Sequence, residues 1–223
     1  TGVLSALEPA FGDVDNAELT NAFSSLFDSI EKLTTQPDNV SVREDVINGA
    51  QQLAATIRRT DTKLVEARTD ADNRVVHTVE RSNEILSRLA QINQSLVEEE
   101  SSGSEASDLR DERDNLTDEL SSLVAVRTVE TPNGTINVYL DETGDTLLSG
   151  NSPRPLVMTS NSEGVKRITI SRGGESVDLT DRMRGGQLGG FLAVRDNDIP
   201  GYRTRLNALA ASVITEFNSH LES

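Results

Sequence analysis

Three observations predict an α+β multidomain fold, an elongated α-helical bundle of long antiparallel helices with a small inserted antiparallel β domain. Apolar residues recur at helical spacing from Asp15 to Leu33 and again from Ser41 to Glu99, and neither Gly nor Pro occurs between Gly49 and Gly103. From Val124 the apolar period drops to two, with turn residues every few positions. After Arg184 the helical spacing returns and holds to the end of the chain. A helix repeats its face every 3.6 residues and a strand every two, so each change of period marks a change of structure. The expected division is residues 1–123 with 185–223 as the helical bundle and 124–184 as the β insert.

The first helix is expected to open at Asp15, with Glu18 three residues later as a capping-box pair, and to run through Leu19, Phe23, Leu26, Ile30 and Leu33. TTQPDNV breaks it at Pro37, and Ser41 with Glu44 repeats the capping pattern. In the second helix Val46, Ala50, Leu53 and Ile57 mark the apolar face, which Val75, Val79, Leu86, Leu89 and Leu96 continue at heptad-like spacing. Ser82 and Asn93 are the polar exceptions on that face. The stretch RRTDTKLVEARTDADNR is weakly apolar and leaves room for a kink or a break there. Unbroken from Ser41 to Glu99, the helix would be roughly 85–90 Å long, which predicts a rod.

EEESSGSEAS ends that helix with a polar loop, and SDLRDERDNLTDELSSLV supplies a returning antiparallel one. Leu109, Leu116, Leu120 and Leu123 fall within a band of roughly 60°, a single buried stripe. Asp111, Asp114, Asp118 and Glu119 are spread over the remaining surface and do not converge on one point, as paired catalytic carboxylates must. Arg113 stands on the apolar stripe itself. It is expected to be partly buried and to pair with a carboxylate of a neighbouring helix, an internal pin between helices.

The β region begins with the alternation of Val124, Val126 and Thr128, turns at Pro132 to Gly134, and alternates again at Ile136, Val138 and Leu140, a hairpin. Further strands are expected at Thr146 to Leu148, Leu156 to Thr159, Val165 to Ser171 and Ser176 to Leu179. Helix resumes in GGQLGGFLAVRDNDIPGY, where Leu188 and Leu192 pack and Ile199-Pro200 marks a joint. Tyr202, Leu206, Leu209, Val213, Phe217 and Leu221 form the apolar face of the last helix.

Composition narrows the function. The 223 residues carry 37 acidic and 21 basic side chains, a formal charge of -16, with five Phe, two Tyr and no Trp. Neutralising phosphates needs clustered Lys and Arg, and gripping bases needs aromatic platforms, so nucleic acid is not an expected partner. There is no cysteine, which removes disulfides and thiolate chemistry. No run is long and apolar enough to span a membrane, and none reads as a signal peptide. The start at Thr1 without Met, and the end at Ser223 on a helical pattern, suggest an excised piece of a longer protein.

No motif assembles a reactive site. His77 and His220 lie far apart with no paired-ligand spacing, so no metal is expected. DETGDTLLSG, Asp141 to Gly150, is rich in oxygen ligands but lacks the spacing and closing Glu of an EF-hand, and reads as a hairpin turn. RGGQLGG lacks either phosphate-loop pattern. Its Gly185, Gly186, Gly189 and Gly190 are expected at a β-to-α junction where only Gly lets the backbone turn and approach closely. No nucleophile elbow frames a serine, so neither an enzyme nor a cofactor is expected. A long acidic helical structure with an inserted β module suits assembly better than catalysis.

Five motifs in order resemble one family, flagellar hook-associated protein 1, which joins the hook to the filament. They are LFDSIEKLTTQPDNVSVREDVINGAQQLA, INQSL, RDERDNLTDELSSLV, GGQLGGFLAVRDNDIPGY and LNALAASVITEFNSH. Within the third, Arg110 and Glu112 depart from the family's commoner residues. The resemblance implies a structural subunit of the flagellum, a mechanical adaptor and template for filament assembly, whose terminal coiled-coil segments lie outside this central fragment. It implies partners in the hook protein, the second hook-filament junction protein, copies of itself and an export chaperone reached through a missing C-terminal segment. It also implies an extracellular site reached through the flagellar type III apparatus without a cleaved signal. Subunit contacts are then expected on the polar helix faces, and the fragment alone is expected to be monomeric. A flagellin-like or second junction protein shares the acidic helical pattern, as does a secreted helical adhesin.

Overall fold

A computed structural model describes residues 13–101, 106–162 and 164–221, with side chains for 18–99, 106–162 and 164–215. The order is α1 (Asp13–Thr35), α2 (Val40–Ser101), α3 (Ser107–Leu123), β1 (Val126–Glu130), β2 (Ile136–Leu140), β3 (Thr146–Ser149), β4 (Ser152–Pro153), β5 (Val157–Ser160), β6 (Lys166–Arg172), β7 (Glu175–Asp178), a 3₁₀ turn (Thr180–Arg182), α4 (Gly186–Ala193), a π turn (Val194–Asp198) and α5 (Ile199–Leu221). Long helices and two small antiparallel sheets are thus what the periodicity predicts.

Helix starts differ from expectation. α1 is already helical at Asp13, so Asp15 is not its cap. α2 begins at Val40, and its cap is Asn39 rather than Ser41: the Asn39 Oδ1 accepts a bond from the Ser41 N–H at 3.1 Å. The weakly apolar middle of α2 does not break the helix, which continues for 62 residues. Leu64, Ala67 and Ala71 bury there, small and large side chains enough to hold the stripe.

The chain forms two compact units. One is built on the chain up to Thr69 together with that from Asp196 onward, the other on Asp70–Arg195. In the first, α1, the start of α2 and α5 bury Ala22, Leu26, Val46 and Leu53, with Leu19, Phe23, Ile30, Leu33, Ala50, Ile57 and Val213 packed against them. Helix α5 is less covered than its spacing predicts. Leu206 is buried, but Tyr202 and Leu209 are exposed, and Phe217 and Leu221 lie outside the described side chains.

In the second unit, the rest of α2 buries Val75, Val79, Ile85, Leu86, Leu89, Ile92 and Leu96. Helix α3 returns antiparallel: Arg81 pairs with Glu119 and Arg88 with Glu112, so partners rise along one helix as they fall along the other. Leu109 and Leu116 pack on Ile92, Leu96 and Ala106, and Leu120 is fully buried. One sheet has the order β1-β2-β3-β4 and the other β5-β6-β7. Ile136, Val138 and Leu140 alternate inward as their spacing requires, and register shifts once between Val138 and Tyr139. The short strand β4 has no counterpart in the sequence pattern, because two residues are too few for a period.

The π turn Val194–Asp198 stands just before Ile199-Pro200, the expected joint, and these two residues open α5. Proline has no N–H to donate and its ring crowds the preceding turn, so widening the helix just before Pro200 relieves both constraints without ending it.

Candidate functional site

The polar chemistry of the second unit gathers where helices grip the sheets. Two asparagines of α2 act as surrogate strand partners. Asn93, almost fully buried, accepts from the Ile136 N–H at 3.0 Å and donates through Nδ2 to the carbonyls of Ile136 at 2.8 Å and Gly150 at 2.6 Å. Asn83 accepts from the Leu156 N–H at 2.9 Å and donates back to the Leu156 carbonyl at 2.8 Å. A carboxamide presents one acceptor and one donor edge, as a peptide group does, which is why Asn suits this task. Asn93 is visible in the sequence as a polar interruption of the stripe; its partner is not.

Arg113 is buried as expected, with 8% of its side chain exposed, but its partners correct the expectation. It does not pin two helices. Its Nε donates to Asp114 on its own helix at 2.9 Å, and its Nη1 donates to Glu130 at 3.1 Å and to the Gly134 carbonyl at 2.6 Å. It therefore fastens α3 to the β1–β2 hairpin. Burial opposes its charge, but the bonds to Asp114 and Glu130 outweigh that and hold its pKa above the ordinary value. Helical spacing locates a side chain's face and not which element covers it, so it could not supply the partner.

At the other end of the insert, Gly185, Gly186 and Gly189 stand where a Cβ would meet backbone or side chain closely. Gly186 has φ +67°, and a Cβ there would lie 2.7 Å from the Leu123 carbonyl oxygen. At Gly185 a Cβ would meet that of Ala125 at 2.5 Å, and at Gly189 the Arg184 backbone at 2.2 Å. Gly190 contributes its carbonyl to the Val194 N–H. Glu142, from the oxygen-rich turn, caps the junction: its Oε1 accepts from the N–H groups of Gly185 at 2.8 Å and Arg184 at 3.3 Å. Asp145 of the same turn is held by Arg172 at 2.7 Å. These carboxylates of DETGDT are thus committed to protein partners.

A second buried arginine has no counterpart among the residues singled out from sequence. Arg195, with 2% of its side chain exposed, meets Asp72 of α2 at 2.8 Å, and Lys166 of β6 meets the other oxygen of that carboxylate at 3.0 Å. It is legible all the same: Leu188, Leu192 and Arg195 are spaced four and three apart, the same signal that marks Arg113.

Among the described residues no group of three or more His, Cys, Asp or Glu is placed to hold a metal, and no buried side-chain nitrogen or oxygen lacks a hydrogen-bond partner. His77 is exposed, 3.4 Å from Glu80, and the His220 side chain lies outside the described ones. In the first unit a groove of about 300 Å³ is lined by Leu26, Leu53, Ile57, Val213 and Ile214. Phe27, Ile47, Val65, Tyr202, Leu209 and Ile214 of the same unit are exposed.

Long helices tied to two small antiparallel sheets by Asn83, Asn93, Arg113 and Arg195 define a class: a helical domain carrying a β insert. The chain belongs to the family described as the flagellar hook-associated protein FlgK helical domain, which it matches over residues 4–223. It is 26% identical over 210 residues to flagellar hook-associated protein 1 of Salmonella typhimurium, covering 92% of this chain and 38% of that protein. The Escherichia coli K12 protein of the same name is 24% identical, covering 91% and 38%, and that of Bacillus subtilis is 24% identical, covering 85% and 40%. The fold resembles the flagellar hook junction protein FlgK from Burkholderia pseudomallei with a TM-score of 0.71 at 24% identity, over 86% of this chain and 37% of that one. The chain therefore spans about two fifths of the length of these relatives.

Proposed function

We propose that this chain is the central part of a subunit at the junction between flagellar hook and filament, serving as a mechanical adaptor and a template for filament assembly, without catalysis. The family match over residues 4–223 carries this reading. A helix of 62 residues that grips the chain through Asn93 at the start of β2 and Asn83 just before β5 supports it, since such clamps resist shear between elements. The exposed Phe27, Ile47, Tyr202, Leu209 and Ile214 support it too, because large apolar side chains left in water favour association. In this reading residues 124–184 form the insert and the remainder the helical part. The partners are the hook protein, the second junction protein, further copies of this subunit and an export chaperone that binds outside this chain. The subunit works outside the cell after type III export, and this piece alone is monomeric.

Gold-labelled antibodies raised against this chain and applied to intact flagella test the reading by electron microscopy. A narrow band between hook and filament is the expected result. Label along the whole filament would instead make it a flagellin-type subunit, and absence of flagellar label would leave the secreted adhesin.

A further inference from the structure

The sequence contains two Asn-Gly pairs, Asn48-Gly49 and Asn133-Gly134, and the fold treats them oppositely. We propose that Asn133 is a site of spontaneous deamidation through a cyclic imide with Gly134, while Asn48 is protected.

The reaction needs the backbone nitrogen of the following residue to reach the Asn side-chain carbon. After solvent hydroxide removes its proton, the Gly134 nitrogen attacks Cγ of Asn133 and a five-membered ring closes. The bond from Cγ to Nδ2 then breaks, and the side-chain nitrogen leaves as ammonia with protons taken from water. A water molecule opens the imide at either carbonyl, returning aspartate or isoaspartate. The net change is addition of water and loss of ammonia, with no redox partner.

The β1–β2 turn favours each part of this sequence. Asn133 is exposed, so water and hydroxide reach it. Its Oδ1 accepts from the Thr135 hydroxyl at 3.1 Å, and the Thr131 hydroxyl, which also reaches the Thr135 carbonyl at 3.0 Å, lies beside it; a proton given to that oxygen stabilises the negative charge that develops as the ring closes. Gly134 has no side chain to hinder the attack, and Arg113 donates to its carbonyl at 2.6 Å, fixing the far side of the turn while the Asn133 side chain stays in water. One turn bond opposes closure, from the Gly134 N–H to the Thr131 carbonyl at 3.0 Å. Asn48-Gly49 lies inside α2, where closing the ring means leaving helical dihedrals, and a Cβ placed on Gly49 would lie 3.4 Å from the Leu26 backbone, so that stretch of helix is closely packed. The product at Asn133 adds a carboxylate beside Arg113; the isoaspartate form also lengthens the turn and draws the Gly134 carbonyl off the guanidinium.

Peptide mapping by mass spectrometry, after two weeks at mildly alkaline pH and physiological temperature, decides it. The expected result is a gain of about 1 Da at Asn133, accumulating about tenfold faster than at Asn48, with the two rates converging when the chain is unfolded in urea. Equal rates in the folded protein, or no gain at Asn133 while the unfolded chain converts, would overturn the proposal. In Thr135→Val, with the hairpin intact by circular dichroism, the Asn133 rate should fall several-fold; an unchanged rate would also overturn it.

Discussion

Asn93 on α2 and Ile136 on β2 exchange a reciprocal pair of hydrogen bonds across 43 positions of sequence, and the same carboxamide reaches the Gly150 carbonyl. Together with the Asn83–Leu156 pair it ties α2 to the start of β2 and to the residue just before β5. Asn93→Ala strips three backbone groups of their partners in a buried place. An unsatisfied buried group costs about 1–3 kcal/mol, so a total loss of about 3 kcal/mol is expected, lowering Tm by roughly 6–12 °C. Thermal unfolding followed by circular dichroism measures it, and a loss under about 1 kcal/mol would mean that water replaces the carboxamide.

Arg113 should matter less than its burial suggests. Its carboxylate partners Asp114 and Glu130 are 66% and 54% exposed, so both rehydrate when the guanidinium is removed. Removing a buried charge also relieves its desolvation. Arg113→Leu is expected to cost about 1–2 kcal/mol, with faster amide hydrogen exchange confined to the hairpin turn at Thr131 to Ile136. Unchanged stability and unchanged exchange would show that the pin is idle.

Acid should loosen the pairs between helices. The Arg203 hydrogen bonds hold the Asp61 carboxyl below its ordinary value, and those from Arg88 and Arg81 do the same for Glu112 and Glu119. In each case the unfolded chain takes up a proton at higher pH than the folded one. The contribution is therefore complete above the ordinary carboxylate value, about pH 4, and is lost as pH falls through the lower folded values. Urea unfolding at a series of pH values should show this loss, and the combined Arg81→Gln and Arg88→Gln variant should lose less stability on acidification. Because these pairs are exposed, molar salt should shrink the difference between variant and parent at neutral pH.

Much of this architecture is legible from the chain, for identifiable reasons. Periods of 3.6 and 2 locate the long helices and six of the seven strands, because burying one face imposes them. The polar interruptions Arg113 and Asn93 point to buried work. Their partners are not legible, since Glu130, Gly134, Ile136 and Gly150 reach them only through tertiary packing. Glu142 is hidden for the same reason, in a turn whose oxygens resemble a cation loop until its contact with Gly185 is known. The exposure of Tyr202 and Leu209 is equally hidden, because spacing says which face is apolar and not whether anything covers it.

The glycines provide the sharpest contrast. Gly186→Ala forces an L side chain into φ +67° and places its Cβ 2.7 Å from the Leu123 carbonyl oxygen, so backbone must move. The conformational part alone costs about 1–2 kcal/mol, and the clash adds to it. Gly189→Ala needs no unusual φ but drives its Cβ to 2.2 Å from the Arg184 backbone, which is fixed through the Glu142 cap. Each is expected to lower stability by about 2–4 kcal/mol. A Cβ added at Gly201 would meet nothing within 4 Å, and the residue lies in helix α5, so Gly201→Ala should stabilise by up to about 1 kcal/mol. Urea midpoints for the three variants test the set together. If Gly186→Ala proves as mild as Gly201→Ala, the α3-to-α4 junction bends freely, and the close approach of Gly186 to Leu123 is not what fixes the end of the insert.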